Sequence, residues 1–197
     1  SLTIATGTVT HLFKPAPFLD TLDYFWELHP YKLFNFHPVT MLVQHVVKYL
    51  GCLEEAYIIN RLRQYSQKTK KELEFHVKLY NEDVSLNSIK VQDKRYDLTH
   101  NLENIVYNEL VFRGYELHVY VNRGKKIDFR ASKNGKTYFV QVAYSLVEEK
   151  AYQREFEAFN GIDNLSQKII ISCDDIDYST SIVRHIKFKD FLLMDDF

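Results

Sequence analysis

Lys125 to Leu146 reads KKIDFRASKNGKTYFVQVAYSL, two strands folded over a turn. Asn134-Gly135 accepts the positive φ angles of a tight hairpin. Before it, Ile127, Phe129 and Ala131 alternate with polar residues; after it, Thr137 to Tyr144 is rich in β-branched and aromatic side chains. Period-two geometry sends Asp128 away from the apolar side of Ile127 and Phe129. It also places Gln141 and Ala143 together on one face of the partner strand.

Working outward, Leu98 to Arg113 has helical spacing, with Leu102, Ile105, Val106 and Leu110 inward, Asp97 or Thr99 as cap and Gly114 as stop. Tyr115 to Val121 alternates as a strand and turns at Arg123-Gly124. Beyond the hairpin, Glu148 to Phe159 is an amphipathic helix with Tyr152, Phe156 and Phe159 on one side. Gln167 to Ser172 is nearly all apolar, as a central strand buried on both faces requires. Ser181 to Ile186 gives another strand and Lys187 to Leu193 a short helix. The order α-β-β-β-α-β predicts an α/β or α+β domain, a mixed sheet flanked by helices.

The N-terminal half has a different character. Val84 to Tyr96 is weakly patterned and predicts a boundary, giving domains at 1–95 and 96–197. Ser1 to Pro17 reads as a strap and Phe18 to Leu28 as a helix ended by Pro30. Pro38 can open the next helix, Val39 to Leu53, whose apolar stripe is Val43, Val46, Val47, Leu50 and Leu53. Ala56 to Leu62 and Phe75 to Tyr80 read as strands around the polar, basic stretch Arg63 to Glu74. A helix followed by a basic hairpin is the outline of a winged helix. Arg61, Arg63, Lys68, Lys70 and Lys71 would touch phosphates from the hairpin, and Gln44, His45 and Lys48 base edges from the helix. A solvated hairpin beside an ordinary packing helix is the competing reading.

Composition narrows the classes. Hydrophobic residues are 46% of 197, enough to build a core. The net charge is −1, so attraction to nucleic acid must come from local patches. Cys52 and Cys173 form neither a disulfide framework nor a zinc cluster and read as free thiols of a reducing cytoplasm. No apolar run approaches the roughly 20 residues of a membrane span, so no membrane partner is expected. The chain lacks a secretory start and an initial Met, which predicts a piece of a longer protein.

Metal-dependent phosphodiester cleavage requires carboxylates around Mg²⁺ and a cation beside them. Glu103 and Asp128 can serve as acids, with Gln141 donating a neutral oxygen; Asp128 and Gln141 are the candidate metal ligands. Ala143 stands where a lysine would complete the pattern. A cation brought to Asp128 and Gln141, with Lys126 the nearest in sequence, would restore the chemistry, whereas a blocked or apolar site would end it. The plain alternative is a turn-side carboxylate on a strand. Arg123, Lys125, Lys126, Arg130, Lys133 and Lys136 surround Asp128 and could hold phosphates or merely guard strand edges. Gly135-Lys136-Thr137 ends like a phosphate-binding loop, but Arg130 stands where its first glycine belongs. His45, His76 and His118 show no metal spacing. Asp174, Asp175 and Asp177 lack the glycine and distal Glu of a calcium loop.

Three stretches carry a family resemblance: TMLVQHVVKYLGCLEEAYII at Thr40 to Ile59, KLYN with Asp83, and LENIVYNELVFRGYEL from Leu102 followed by the hairpin and KIIIS. Together they resemble the DUF4143 family, the C-terminal region of prokaryotic-type AAA+ ATPases, over roughly residues 38–172. The resemblance implies a winged-helix segment before a restriction-nuclease-like, PD-(D/E)XK domain. It matches Glu103 to the helix acid, Asp128 to the strand Asp, Gln141 to the Glu of Glu-x-Lys and Ala143 to its lysine, a damaged motif. The ATP-binding domain would precede Ser1, leaving no cofactor in this chain, with Mg²⁺ only if the nuclease site works. Three functions follow as expectations: a non-cutting module binding DNA or a partner beside its own ATPase domain; a Mg²⁺-dependent endonuclease with a borrowed lysine; a pure protein-interaction domain.

Overall fold

The computed structural model describes residues 37–66, 71–89, 98–122, 124–163 and 166–197. The expected strap, first helix, Lys68, Lys70, Asp97 cap and Arg123 lie outside the described residues.

Helix α1 (His37–Glu55) leads into the hairpin β1 (Ile59–Ser66) and β2 (Lys71–Asn81). A short α2 (Leu86–Ile89) and the long α3 (Leu98–Phe112) follow. Then come β3 (Glu116–Asn122), β4 (Lys125–Lys133) and β5 (Lys136–Ala143), helix α4 (Glu149–Glu157), β6 (Gln167–Ser172), β7 (Arg184–Lys187) and α5 (Phe188–Leu193). The strands form one mixed sheet, β2-β1-β3-β4-β5-β6-β7. β1/β2, β3/β4 and β4/β5 are antiparallel; β1/β3, β5/β6 and β6/β7 are parallel. The mixed sheet with flanking helices matches the sequence expectation.

Two apolar layers sandwich the sheet. On one face, Leu102, Val106 and Leu110 of α3 and Phe191 of α5 pack on Val119, Phe129, Val140 and Ile171. On the other, Ala158 and Phe159 after α4 cover Tyr120, Phe139, Ala143 and Ile170. β5 and β6 feed both layers, which explains their unbroken apolar runs. Gly114 ends α3 at φ 79°. The Tyr115 N–H bonds the Leu110 carbonyl at 3.0 Å and the Gly114 N–H that of Val111 at 2.9 Å, which satisfies the last helical carbonyls.

The hairpin departs from the sequence reading. Strand structure extends into the stretch expected as a polar wing, through Ser66 and from Lys71. Gln64 and Tyr65 pair with Val119 and Tyr120, so the sheet runs across the boundary expected between 95 and 96. Leu62 and Tyr80 belong to the same buried cluster as Leu102 and Phe129, and Tyr80 stacks on Tyr107 with centroids 4.2 Å apart.

Asn104, fully buried on α3, holds the end of β2 as a strand neighbour would: its Oδ1 accepts the Asn81 N–H at 3.0 Å and its Nδ2 donates to the Asn81 carbonyl at 2.9 Å. Asn104→Ala strands the Asn81 N–H, although Asn108 still reaches the carbonyl. We expect a loss of about 2 kcal/mol in urea unfolding; an unchanged midpoint would remove Asn104 from the frame.

Strict alternation fails at one place in β4. His118 pairs with Arg130 and Tyr120 with Ile127, so Asp128 and Phe129 together oppose Val119. This β-bulge turns Ile127 into the α4-side layer and Phe129 into the α3-side layer. The shared apolar face expected for Ile127 and Phe129 is therefore corrected, and Asp128 is the residue at the bend.

Candidate functional site

The bulge aims Asp128 at the end of the β4–β5 ladder, which runs from Lys133↔Lys136 to Phe129↔Val140. Past that point side chains replace the backbone pairing. Asp128 Oδ2 accepts the Val142 N–H at 3.0 Å, and Gln141 Oε1 accepts the Asp128 N–H at 2.9 Å. The expected neighbours Asp128 and Gln141 are thus brought together, and Glu103 of α3 joins them through a lysine that sequence reasoning missed.

That lysine is Lys78 of β2. Its Nζ lies 2.5 Å from Glu103 Oε1 and 2.9 Å from Asp128 Oδ1. The Tyr80 hydroxyl donates to the same Glu103 oxygen. Side-chain exposures of 17% for Lys78 and 14% for each acid make this a largely desolvated triad. Burial alone would lower the Lys78 pKa, but the charges of Asp128 and Glu103 and their hydrogen bonds outweigh it and hold it above the usual lysine value. Burial lifts Asp128 to about 6 against the pull of Lys78, with Glu103 adding to the rise. Burial, then Glu103, push the Tyr80 hydroxyl well above its ordinary range. One signal was present in the sequence: period two puts Lys78 and Tyr80 on one face of β2. Nothing local could reveal that this face meets acids 25 and 50 residues away.

On the other side of Asp128 a cleft of about 560 Å³ opens between β4, β5 and α4. Lys125, Lys126, Lys150 and Arg154 line it beside Asp128 and Gln141. Gln141 Nε2 donates to Glu155 Oε2 at 2.7 Å, and the Arg154 guanidinium reaches Glu155 Oε1 at 2.6 Å. Glu155 is thus a buried acid whose place the sequence did not reveal. Lys125 pairs with Glu157. Lys126 is exposed, yet desolvation by its surroundings, then the nearby charge of Lys78, lower its pKa.

A magnesium ion fits this donor set poorly as it stands. Both Asp128 oxygens already take donors, Gln141 Oε1 takes the Asp128 amide, and Lys78 lies between the two acids. Among the described residues no group of three or more His, Cys, Asp or Glu converges as a metal-ligand set. Ala143, at the lysine position of the motif, is buried in the α4-side layer.

Arg61 and Arg63, the expected wing residues with described side chains, do not line this cleft. Arg61 pairs with Glu54 at 2.6 Å. Arg63 is exposed on β1, and His45 and Lys48 are exposed on α1; Gln44 lies in α1 and Lys71 opens β2. In the second basic set, Arg130 stacks on Tyr65 and Lys133 pairs with Asp196. Asp174 is used internally, accepting from Ser145, Ser172 and the Leu146 N–H; these bonds hold its carboxyl below the usual range although burial works the other way. His118, a histidine without metal spacing, is buried against Tyr65.

No helix among the described residues is long and apolar enough to cross a membrane. No family model matches the chain, and no solved structure matches it. The chain is similar to an uncharacterized protein of Haemophilus influenzae, 35% identical over 103 residues, a stretch that spans 52% of this chain and 26% of that relative.

Proposed function

We propose that this chain is the C-terminal nucleic-acid-binding region of a larger AAA+-type ATPase, with a restriction-nuclease-like frame that grips DNA without cutting it. One observation carries the reading: the basic cleft on the α4 side of Asp128, next to two acids that Lys78 partly neutralises from within. Lys125 and Arg154 have carboxylate partners. Lys126 and Lys150 line the cleft with no ion-pair partner among the described residues, leaving charge for backbone phosphates. Such contacts give affinity that falls with salt and carries little sequence preference. The β1–β2 hairpin, read as a wing in the sequence, would then act mainly as part of the frame, contributing Lys78.

Labelled duplex titrated at several salt concentrations tests this. We expect the slope of log affinity against log salt to shrink by about 2 in a Lys126→Gln/Lys150→Gln variant, one unit per lost phosphate contact. No binding at low salt, or an unchanged slope, would sink the reading. Plasmid incubated with Mg²⁺ or Mn²⁺ should stay intact. A second reading, a Mg²⁺-dependent endonuclease, draws support from Lys78 standing 2.9 Å from Asp128, where it could do the work of the missing lysine. Cleavage abolished by Asp128→Ala would favour it.

A further inference from the structure

We propose that the Lys78 ammonium is the resident cation of the Glu103–Asp128 pair, a tethered charge in the place a divalent ion would occupy, so that the native site excludes metal. The inference does not rest on nucleic-acid binding and stands or falls separately.

The geometry supports it in three ways. The Nζ lies between one oxygen of each acid, at 2.5 and 2.9 Å, and divalent ions meet carboxylate oxygens at comparable range, about 2.0–2.6 Å. Lys78 comes from β2 at the sheet edge, and Tyr80 two residues on fixes the same Glu103 oxygen. The lysine is thus anchored by its own strand: Tyr80 is fully buried and stacked on Tyr107. Finally, Lys126 stands near enough for burial and then the charge of Lys78 to lower its pKa while Glu103 and Asp128 raise it, so a second positive charge already lies beside the cluster. A divalent cation placed here would face the Lys78 ammonium within a few ångströms in a poorly hydrated setting.

Removing the ammonium should therefore uncover an ion site. Terbium is a suitable probe, because the Tyr80 hydroxyl donates to Glu103 and its phenol can sensitise a lanthanide bound there. With tyrosine excitation, the full chain carrying Lys78→Met should show saturable terbium luminescence at least about tenfold tighter than the native chain, the like charge having gone. Mn²⁺ should raise the melting temperature of Lys78→Met and leave the native chain where it is. Adding Asp128→Asn to Lys78→Met should abolish both responses, separating this site from surface acids. If Lys78→Met does not fold, Lys78→Gln, which keeps a donor for Glu103, carries the same comparison. The proposal is overturned if the native chain binds terbium as tightly as the variant. It is equally overturned if a folded Lys78 variant responds to neither ion.

Discussion

A chain begun at residue 96, at the boundary that the sequence pattern suggests, is expected to lose cooperative folding. The missing segment carries β1 and β2, and with them Leu62 and Tyr80, 3% and 1% exposed in the core shared with α3 and β4. Burying two such side chains is worth about 2–3 kcal/mol each, against a total stability of about 5–15 kcal/mol for a domain. The loss does not stop there. β3 would give up its parallel neighbour and expose its edge to aggregation. Asn104 would lose the strand end that satisfies it, and Glu103 and Asp128 would lose their cation. The 96–197 segment should show poor amide dispersion and a broad, non-cooperative melt where the full chain melts sharply. A sharp transition in the shorter chain would favour the two-domain division.

The sheet that runs across that boundary shows what a sequence can disclose about this molecule. α3, β5, β6 and the Asn134-Gly135 turn were legible because each rests on a local rule: apolar spacing, an unbroken apolar run, or residues tolerant of positive φ, which Asn134 and Gly135 adopt at 52° and 76°. The parallel pairing of β1 with β3 obeys no local rule. It joins Gln64 to Val119 across α3, and a weakly patterned linker such as Val84 to Tyr96 separates elements in sequence without separating them in space. The bulge at Asp128 was hidden for a related reason. Ile127 and Phe129 satisfy simple alternation, and only the register against β3 shows that they face opposite layers. The same holds at the site. Glu103, Asp128 and Gln141 could be nominated from a motif-like pattern, whereas Lys78, Tyr80 and Glu155 enter through tertiary packing of elements that the pattern had assigned to other tasks. Arg61 illustrates the converse: clustering with basic residues in sequence did not bring it to the cleft, whose cations come from β4 and α4, and it pairs with Glu54 instead.

Lys78→Met should cost about 3–5 kcal/mol at pH 7, the range found when one partner of a buried ion cluster is removed, and the cost should fall on acidification. With the ammonium gone, two desolvated carboxylates face each other and one must take a proton. Asp128 is the group placed to do so, since burial already lifts it to about 6 with Lys78 pulling it down; without that pull it rises further. The sign follows from linkage. A carboxyl whose folded-state pKa exceeds its unfolded value near 3.9 binds more protons in the native state, so stability is greatest below the unfolded value and is lost as pH rises through the folded one. Lys78→Met should therefore regain stability between pH 7 and pH 5, more steeply than the native chain. The native ion cluster weakens at the opposite end: the raised Lys78 pKa means that its contribution is present below the ordinary lysine value near 10.5 and disappears as pH climbs past it. Adding Glu103→Gln and Asp128→Asn to Lys78→Met removes the repelling charges and should recover much of the loss, since an amide at position 128 can still accept the Val142 N–H. Urea unfolding of these variants at pH 5 and pH 7 measures every term. A Lys78→Met chain within about 1 kcal/mol of native at both pH values would mean that the three groups behave as a solvated surface pair, and that neither the closed site nor the excluded metal follows.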